Sequence, residues 1–326
     1  MIAHPRRVQK LGTSSLVLAL PKAWVKKQGI DKGDVLYVIE EGDSLRIIKP
    51  TEEKLGEPPV LEAGKLKDPK IVPLAANCLY ILGYNDYIID LKGLPPEVQL
   101  LLKKQASRLI GIELSYIDKD KIRAKNIMNL ETVNPLTSIK SMGISVSQIF
   151  EILSKAAKGQ WDILPLTEEL REEIFRLQHL IVKYLSSRMV PGADDNRIYS
   201  LLLGTSLLGI ISEASYSVTQ ILMKRKEKPS KEILEIIDKL ATLLPKVSTN
   251  LTDPSTSRAK EHINQVNGLR SRINKIILET NSVIDAILAQ FLTTVISVVS
   301  IVAIITLCNA LTREDVWKKG KVAGKA

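Results

Sequence analysis

The stretch LGTSSLVLALPKAWVKKQGI, residues 11–30, decides how the N-terminal region is read. Glycine and three small polar residues lead into the apolar run Leu16–Leu20, a proline ends that run, and a short basic helix follows. No acidic residue occurs before Asp31, whereas Arg6, Arg7, Lys10, Lys22, Lys26 and Lys27 all do. Strand signals continue on either side. RRVQK precedes the stretch, and DVLYVIEEGDSLRIIKP after it reads as a hairpin with Gly42-Asp43 at its tip. Lys32-Gly33-Asp34 reads as a turn just after the helix. About fifty residues in four strands make a thin core, which two chains would have to share. A homodimer is the expectation.

A chain of 326 residues has room for two or three domains. A formal net charge of +10 favours a polyanionic partner or an anionic surface. Aromatic residues are only 4% of the chain, which argues against base-stacking platforms of the single-strand and RNA-binding kind. Cys78 and Cys308 are isolated, so neither a disulfide framework nor a cysteine zinc site is indicated. The N-terminus has no apolar core of signal-peptide type, so a cytoplasmic protein is expected.

Residues 51–70, TEEKLGEPPVLEAGKLKDPK, read as a linker. From 71 to 129 the pattern suggests a small α/β module. CLYILGYNDYIIDL reads as an apolar β pair around a turn, PPEVQLLLKKQASRLIG as an amphipathic helix, and IELSYIDKDKIRAKNI as a hairpin. From Asn134 onward the reading is helical, over 136–158, 167–188, 195–227, 230–250, 255–280 and 282–318. Cap signals stand at Thr167 with Leu170, at Ser230 with Ile233 and at Asp253-Pro254. Six helices in two sets of three suggest tandem bundles.

Residues 5–50 resemble the AbrB/MazE/SpoVT swapped-hairpin family of DNA-binding domains. The likeness is carried by RRVQKLGTSSLVLALPKAW and KKQGIDKGDVLYVIEEGDSLRIIKP, with Pro21, Gly29, Gly33 and Asp34 in register. Residues 134–320 resemble the PhoU family of phosphate-uptake regulators through SIKSMGISVSQIFEIL, REEIFRLQHLIVKYL and LLGIISEASYSVTQI. The order of parts resembles archaeal PhoU-type regulators. The fold class expected is therefore multidomain α+β: a swapped-hairpin β dimerisation domain over 1–50, a small α/β module over 71–129, and all-α tandem three-helix PhoU-like bundles over 134–320.

The PhoU resemblance implies metal clusters held by carboxylates on bundle helices, and here the chain departs from it. Phe175 stands where EEIFRL should carry an acid, Gln265 and Asn267 stand in NQVNGL, and the aspartate of the family's ERIGDHA segment corresponds to Glu213 and to the vicinity of Cys308. Glu168/Glu172 and Glu169/Glu173 have carboxylate spacing but sit in the first turns of a helix, where the dipole favours acids in any case. No constitutive metal cluster and no cofactor are expected. His4, His179 and His262 lie far apart without zinc spacing. No catalytic triad, Walker loop or GxGxxG appears, so an enzyme is not expected.

The N-terminal resemblance implies that the first strands of two chains line one basic face. Arg6, Arg7 and Lys10 then meet phosphates or guanine edges of double-stranded DNA, and Thr13, Ser14 and Ser15 donate to phosphates from the loop. Lys22, Lys26 and Lys27 join this set, although the last two also suit a helix C-terminus. The run AILAQFLTTVISVVSIVAIITLC, residues 286–308, carries no charge and is long enough to span a bilayer, with Trp317 and later lysines as an interfacial anchor. Its Thr and Ser content favours a buried bundle helix. The function expected is a DNA-binding regulator, probing phosphate status through a transporter or regulatory partner. An accessory protein docked on a membrane transporter is the alternative.

Overall fold

The computed structural model describes residues 5–12, 15–41, 44–48, 58–66, 68–129, 133–186 and 195–313, in two units divided between Glu57 and Pro58. The first unit contains two hairpins and a helix. β1 (Gln9–Leu11) pairs antiparallel with β2 (Ser15–Val17), and β3 (Tyr37–Glu41) pairs with β4 (Ser44–Ile48). Between them α1 (Lys22–Lys27) starts after Pro21, which cannot donate and so suits a helix entry. The expected turn at residues 32–34 is present. Asp34 N donates to Asp31 O at 3.1 Å, Asp34 Oδ2 accepts from Asp31 N at 2.9 Å, and Gly33 takes φ +97°. The expected hairpin tip Gly42-Asp43 lies outside the described residues.

The second unit opens with a four-stranded sheet. β5 (Val60–Glu62) runs parallel to β6 (Asp86–Asp90), which pairs antiparallel with β8 (Lys121–Asn126), and β7 (Ile112–Asp118) closes the other edge. Two readings from sequence need correction here. The stretch 51–70 is not simply a linker, because Val60–Glu62 is an edge strand and short 3-10 turns follow at Ala63–Lys65 and Pro69–Ile71. CLYILGYNDYIIDL is not a β pair, because its first residues belong to α2 (Val72–Ile81) and only Asp86–Asp90 is a strand. Val72, Ala76 and Tyr80 recur at helical spacing and are buried, and that periodicity prevails over the local β propensity. α2 packs beside α3 (Pro96–Ala106), and the core there is built from Val72, Ala76, Tyr87, Ile89, Leu102 and Ile122. Alternation along β6 and β8 sends Tyr87, Ile89, Ile122 and Ala124 to one face.

Six helices follow: α4 (Pro135–Ala157), α5 (Leu166–Ser186), α6 (Asp195–Arg225), α7 (Lys231–Thr252), α8 (Thr256–Glu279) and α9 (Val283–Arg313). Ser230 caps α7 as expected, its Oγ accepting from Ile233 N at 3.4 Å. Two other caps differ. Thr167 lies inside α5 and its hydroxyl donates back to Leu164 O, while α8 is capped by Ser255 rather than by Asp253. The six helices share one continuous apolar core instead of two separate ones. α5, α6, α9 and α8 lie side by side in that order, and α4 and α7, packed on each other, cover one side of the row.

The α4–α7 seam has a particular chemistry. Pro245 stands inside α7 and lacks the N–H that would bond the carbonyl of Ala241. Ser147 of α4 supplies the missing donor, its Oγ lying 2.6 Å from Ala241 O in a buried setting. Nearby, Gly143 brings the α4 backbone so close that a Cβ would overlap the Ser248 side chain. Ser147→Ala should therefore cost about 1–3 kcal/mol, the penalty of a buried orphan acceptor. Pro245→Ala restores a backbone donor, so the same Ser147→Ala change should cost much less in that background. Urea unfolding of the four chains of this double-mutant cycle reads the coupling, and additive effects would refute the donor-replacement account.

Candidate nucleic-acid interface

The first unit offers a ribbon without a core of its own. Among the described side chains from Pro5 to Ile47 not one is buried, and Leu16, Leu11, Val35, Leu45 and Val38 are more than half exposed. Arg6, Arg7 and Lys10 are exposed on or just before β1, in register with β2 through Lys10↔Leu16. Ser15 is exposed at the start of β2. Thr13 and Ser14, expected to donate from the connecting loop, lie outside the described residues. Lys22 opens α1 and Lys26 and Lys27 close it, all three exposed, and the last two complement the negative end of the helix. The only side-chain hydrogen bond of Arg6 among the described residues is to the neighbouring Pro5 carbonyl, at 3.1 Å. No acid from within residues 5–30 opposes these cations. A two-stranded ribbon fits the major groove of B-form DNA, about 12 Å wide.

In the second unit several charged groups are committed to structure. Arg171 of α5 donates to Glu168 at 2.7 Å and to Glu213 of α6 at 3.1 Å, and stacks on Tyr216. That arginine holds the Glu168 carboxyl below its ordinary range. Arg108, from the turn after α3, donates to Glu172 at 2.8 Å and lies over the Phe175 ring. Of the acids at carboxylate spacing, Glu168 and Glu172 are thus paired with guanidinium groups, while Glu173 accepts from Ser145 Oγ at 3.3 Å. Among the described residues no group of three His, Cys, Asp or Glu side chains could hold a metal ion. His179 stacks on Phe175 with its centroid 3.9 Å away, Nδ1 at 2.9 Å from Phe175 O, and burial lowers its pKa.

Lys183 is the residue that sequence reading missed. Nothing in HLIVKYL marks it out, yet it is wholly buried. Its Nζ donates to Tyr84 O at 3.0 Å, just past the end of α2, and lies 4.6 Å from the Tyr80 ring centroid. Tyr80 in turn donates to Ile110 O at 2.8 Å. This lysine fastens the α/β sheet layer to α5, with the Leu180–Tyr184 cluster beside it.

Residues 9–55 match the MazE antitoxin family, described as "Antidote-toxin recognition MazE, bacterial antitoxin". The chain thus carries an N-terminal domain of MazE/AbrB type, followed by a mainly helical region. No curated protein matches the chain.

Burial pushes the Lys183 ammonium down to about 8. Between that value and the ordinary lysine pKa the unfolded chain binds a proton that the folded chain does not. Stability should therefore rise with pH through this window, by up to about 3 kcal/mol. Lys183→Met should remove that component. Unfolding free energies at pH 7.5, 9 and 10 for both chains test this, and parallel pH profiles would contradict it.

Proposed function

We propose that the chain is a homodimeric DNA-binding transcriptional regulator, with its N-terminal ribbon on double-stranded DNA and its helical region receiving the input. One observation carries the reading: within a MazE-type domain, an exposed ribbon and helix present Arg6, Arg7, Lys10, Lys22, Lys26 and Lys27 with no acid before Asp31. Arginine supplies a planar fork for phosphate or a guanine edge, and lysine adds counterion release. Ser15, with Thr13 and Ser14 from the loop, adds phosphate contacts. Apolar side chains left open on both hairpins support a second copy as the partner that completes the domain. The resemblance of 134–320 to PhoU regulators, archaeal ones in its order of parts, supports phosphate uptake or its homeostasis as the regulated process. The input then comes through contact with a transporter or regulatory protein. The role is non-enzymatic and cytoplasmic. A toxin protein as the ligand of the same domain is the second reading, favoured by the antidote description of the matched family.

Sheared genomic DNA incubated with the purified protein at low and near-physiological salt tests the proposal. The expected result is a few enriched fragments, lost with Arg6→Ala/Arg7→Ala. If all four arginines of a dimer contact phosphate, the slope of log K against log salt becomes shallower by about 3–4 in that variant. Uniform or absent recovery by the unaltered chain would overturn the DNA reading.

A further inference from the structure

α6 and α9 occupy the middle of the helical row, between α5 and α8, with α4 and α7 on one side only. Among the described residues of the second unit, the other side of both helices is bare. Among the described residues it carries Tyr199 (61% exposed), Leu203 and Ile210 from α6, and Ile301, Ile304 and Cys308 from α9. The two helices run antiparallel. Arg197 in the first turn of α6 donates to Leu251 O at the end of α7, while Asp285 in the first turn of α9 accepts from Ser230 N at the start of α7. Tyr199 and Leu203 therefore lie at the same end of the row as Ile304 and Cys308.

The bare side lacks charge. α9 has no charged residue from Ala286 to Thr312, and α6 has none from Ile198 to Ser212; the next residue on the same row, Glu213, is exposed but is paired with Arg171 of α5. Every other helix of the row and its cover exposes ionic side chains, such as Lys140 and Lys155, Glu169 and Arg176, Lys231 and Glu235, and Lys260 and Lys275. The exposed positions Gln290, Thr294, Ile301, Ile304 and Cys308, with half-buried Ser297 among them, follow alternating steps of four and three, the spacing with which one helix seats against another.

We propose that this bare side of α6 and α9 is the surface through which the helical regions of two copies of the chain pair. Charge argues for a second copy. At +10 per chain two copies repel across any basic face, and an uncharged face with Ser, Thr and Gln can meet its own image without opposing like charges. Size agrees as well. The uncharged strip is about 40 Å long on α9 and about 20 Å long on α6, and at about 10 Å of width per helix it covers about 600 Å² per copy, the lower end of the range for a stable interface. The inference rests in one respect on the homodimer of the proposed function, because tethering through the N-terminal domain raises the effective concentration of the second helical region.

The test uses the full-length chain with Cys78→Ser, leaving Cys308, and chains with Cys78→Ser/Cys308→Ser plus Ser297→Cys or Ile301→Cys. Lys275→Cys, on the charged face of α8, is the control, and circular dichroism checks that each chain folds. A short bismaleimide should join two copies at one or more of positions 297, 301 and 308 and not at 275, with loss of the product when Ile304→Lys is added. A dimer by mass without any α9 product would overturn the inference while leaving the N-terminal dimer standing. A monomer by mass would overturn both. Flotation of the chain with phosphatidylcholine vesicles, in place of cross-linking, would assign the face to lipid and overturn the pairing.

Discussion

Leu16, at 73% exposure, and the apolar side chains around it set the constraint on which the N-terminal unit depends. Each Leu or Val fully buried is worth about 1.5–3 kcal/mol, and in one chain β1 to β4 realise little of it. Two separate two-stranded sheets are marginal in water on their own. In the proposed homodimer a second chain would cover these faces, supply the missing core and place a second set of Arg6, Arg7 and Lys10 beside the first. The proposed association would thus meet the apolar requirement and build the proposed polyanion-binding surface at once.

The second unit obeys a different economy. One apolar core runs through all six helices, and the polar groups inside it are tied to specific needs. Ser147 answers the carbonyl that Pro245 leaves unpaired, Arg197 answers the last carbonyls of α7, and Lys183 answers Tyr84 O beyond the end of α2. Arg171 and Arg108 neutralise acids that would otherwise face one another across α5 and α6. Among the described residues the two layers of helices leave one side of α6 and α9 open. That is why helices apolar enough to cross a membrane are only 56% buried over their most apolar windows.

Much of this was legible from residue patterns, and the failures have physical causes. The helices were found because apolar spacing, Pro and capping residues agreed at most of their ends. Ser230 is a case where all three coincide. In the first unit the turn at Gly33 and the β3–β4 pairing were legible, the first from a glycine in a tight polar turn and the second from strand signals on both sides of Gly42-Asp43. CLYI was misread because its β-favouring residues also fit a helix, and only contact with α3 and the sheet decides between them. Val60–Glu62 was hidden because an edge strand of three residues in a Pro- and Lys-rich stretch has no periodicity to detect. Lys183 and Ser147 were invisible because their roles are set by carbonyls far away in sequence. For the interface the basic residues were legible, as composition alone marks them, and Thr13 and Ser14 have no structural placement to compare.

The most direct measurement is sedimentation equilibrium of the full chain carrying Ile301→Lys/Ile304→Lys, so that the N-terminal unit alone is read. The account predicts a mass of twice 36.2 kDa maintained into the submicromolar range. A monomer of 36.2 kDa at micromolar concentration, with the strand signal of β1–β4 intact, would contradict it.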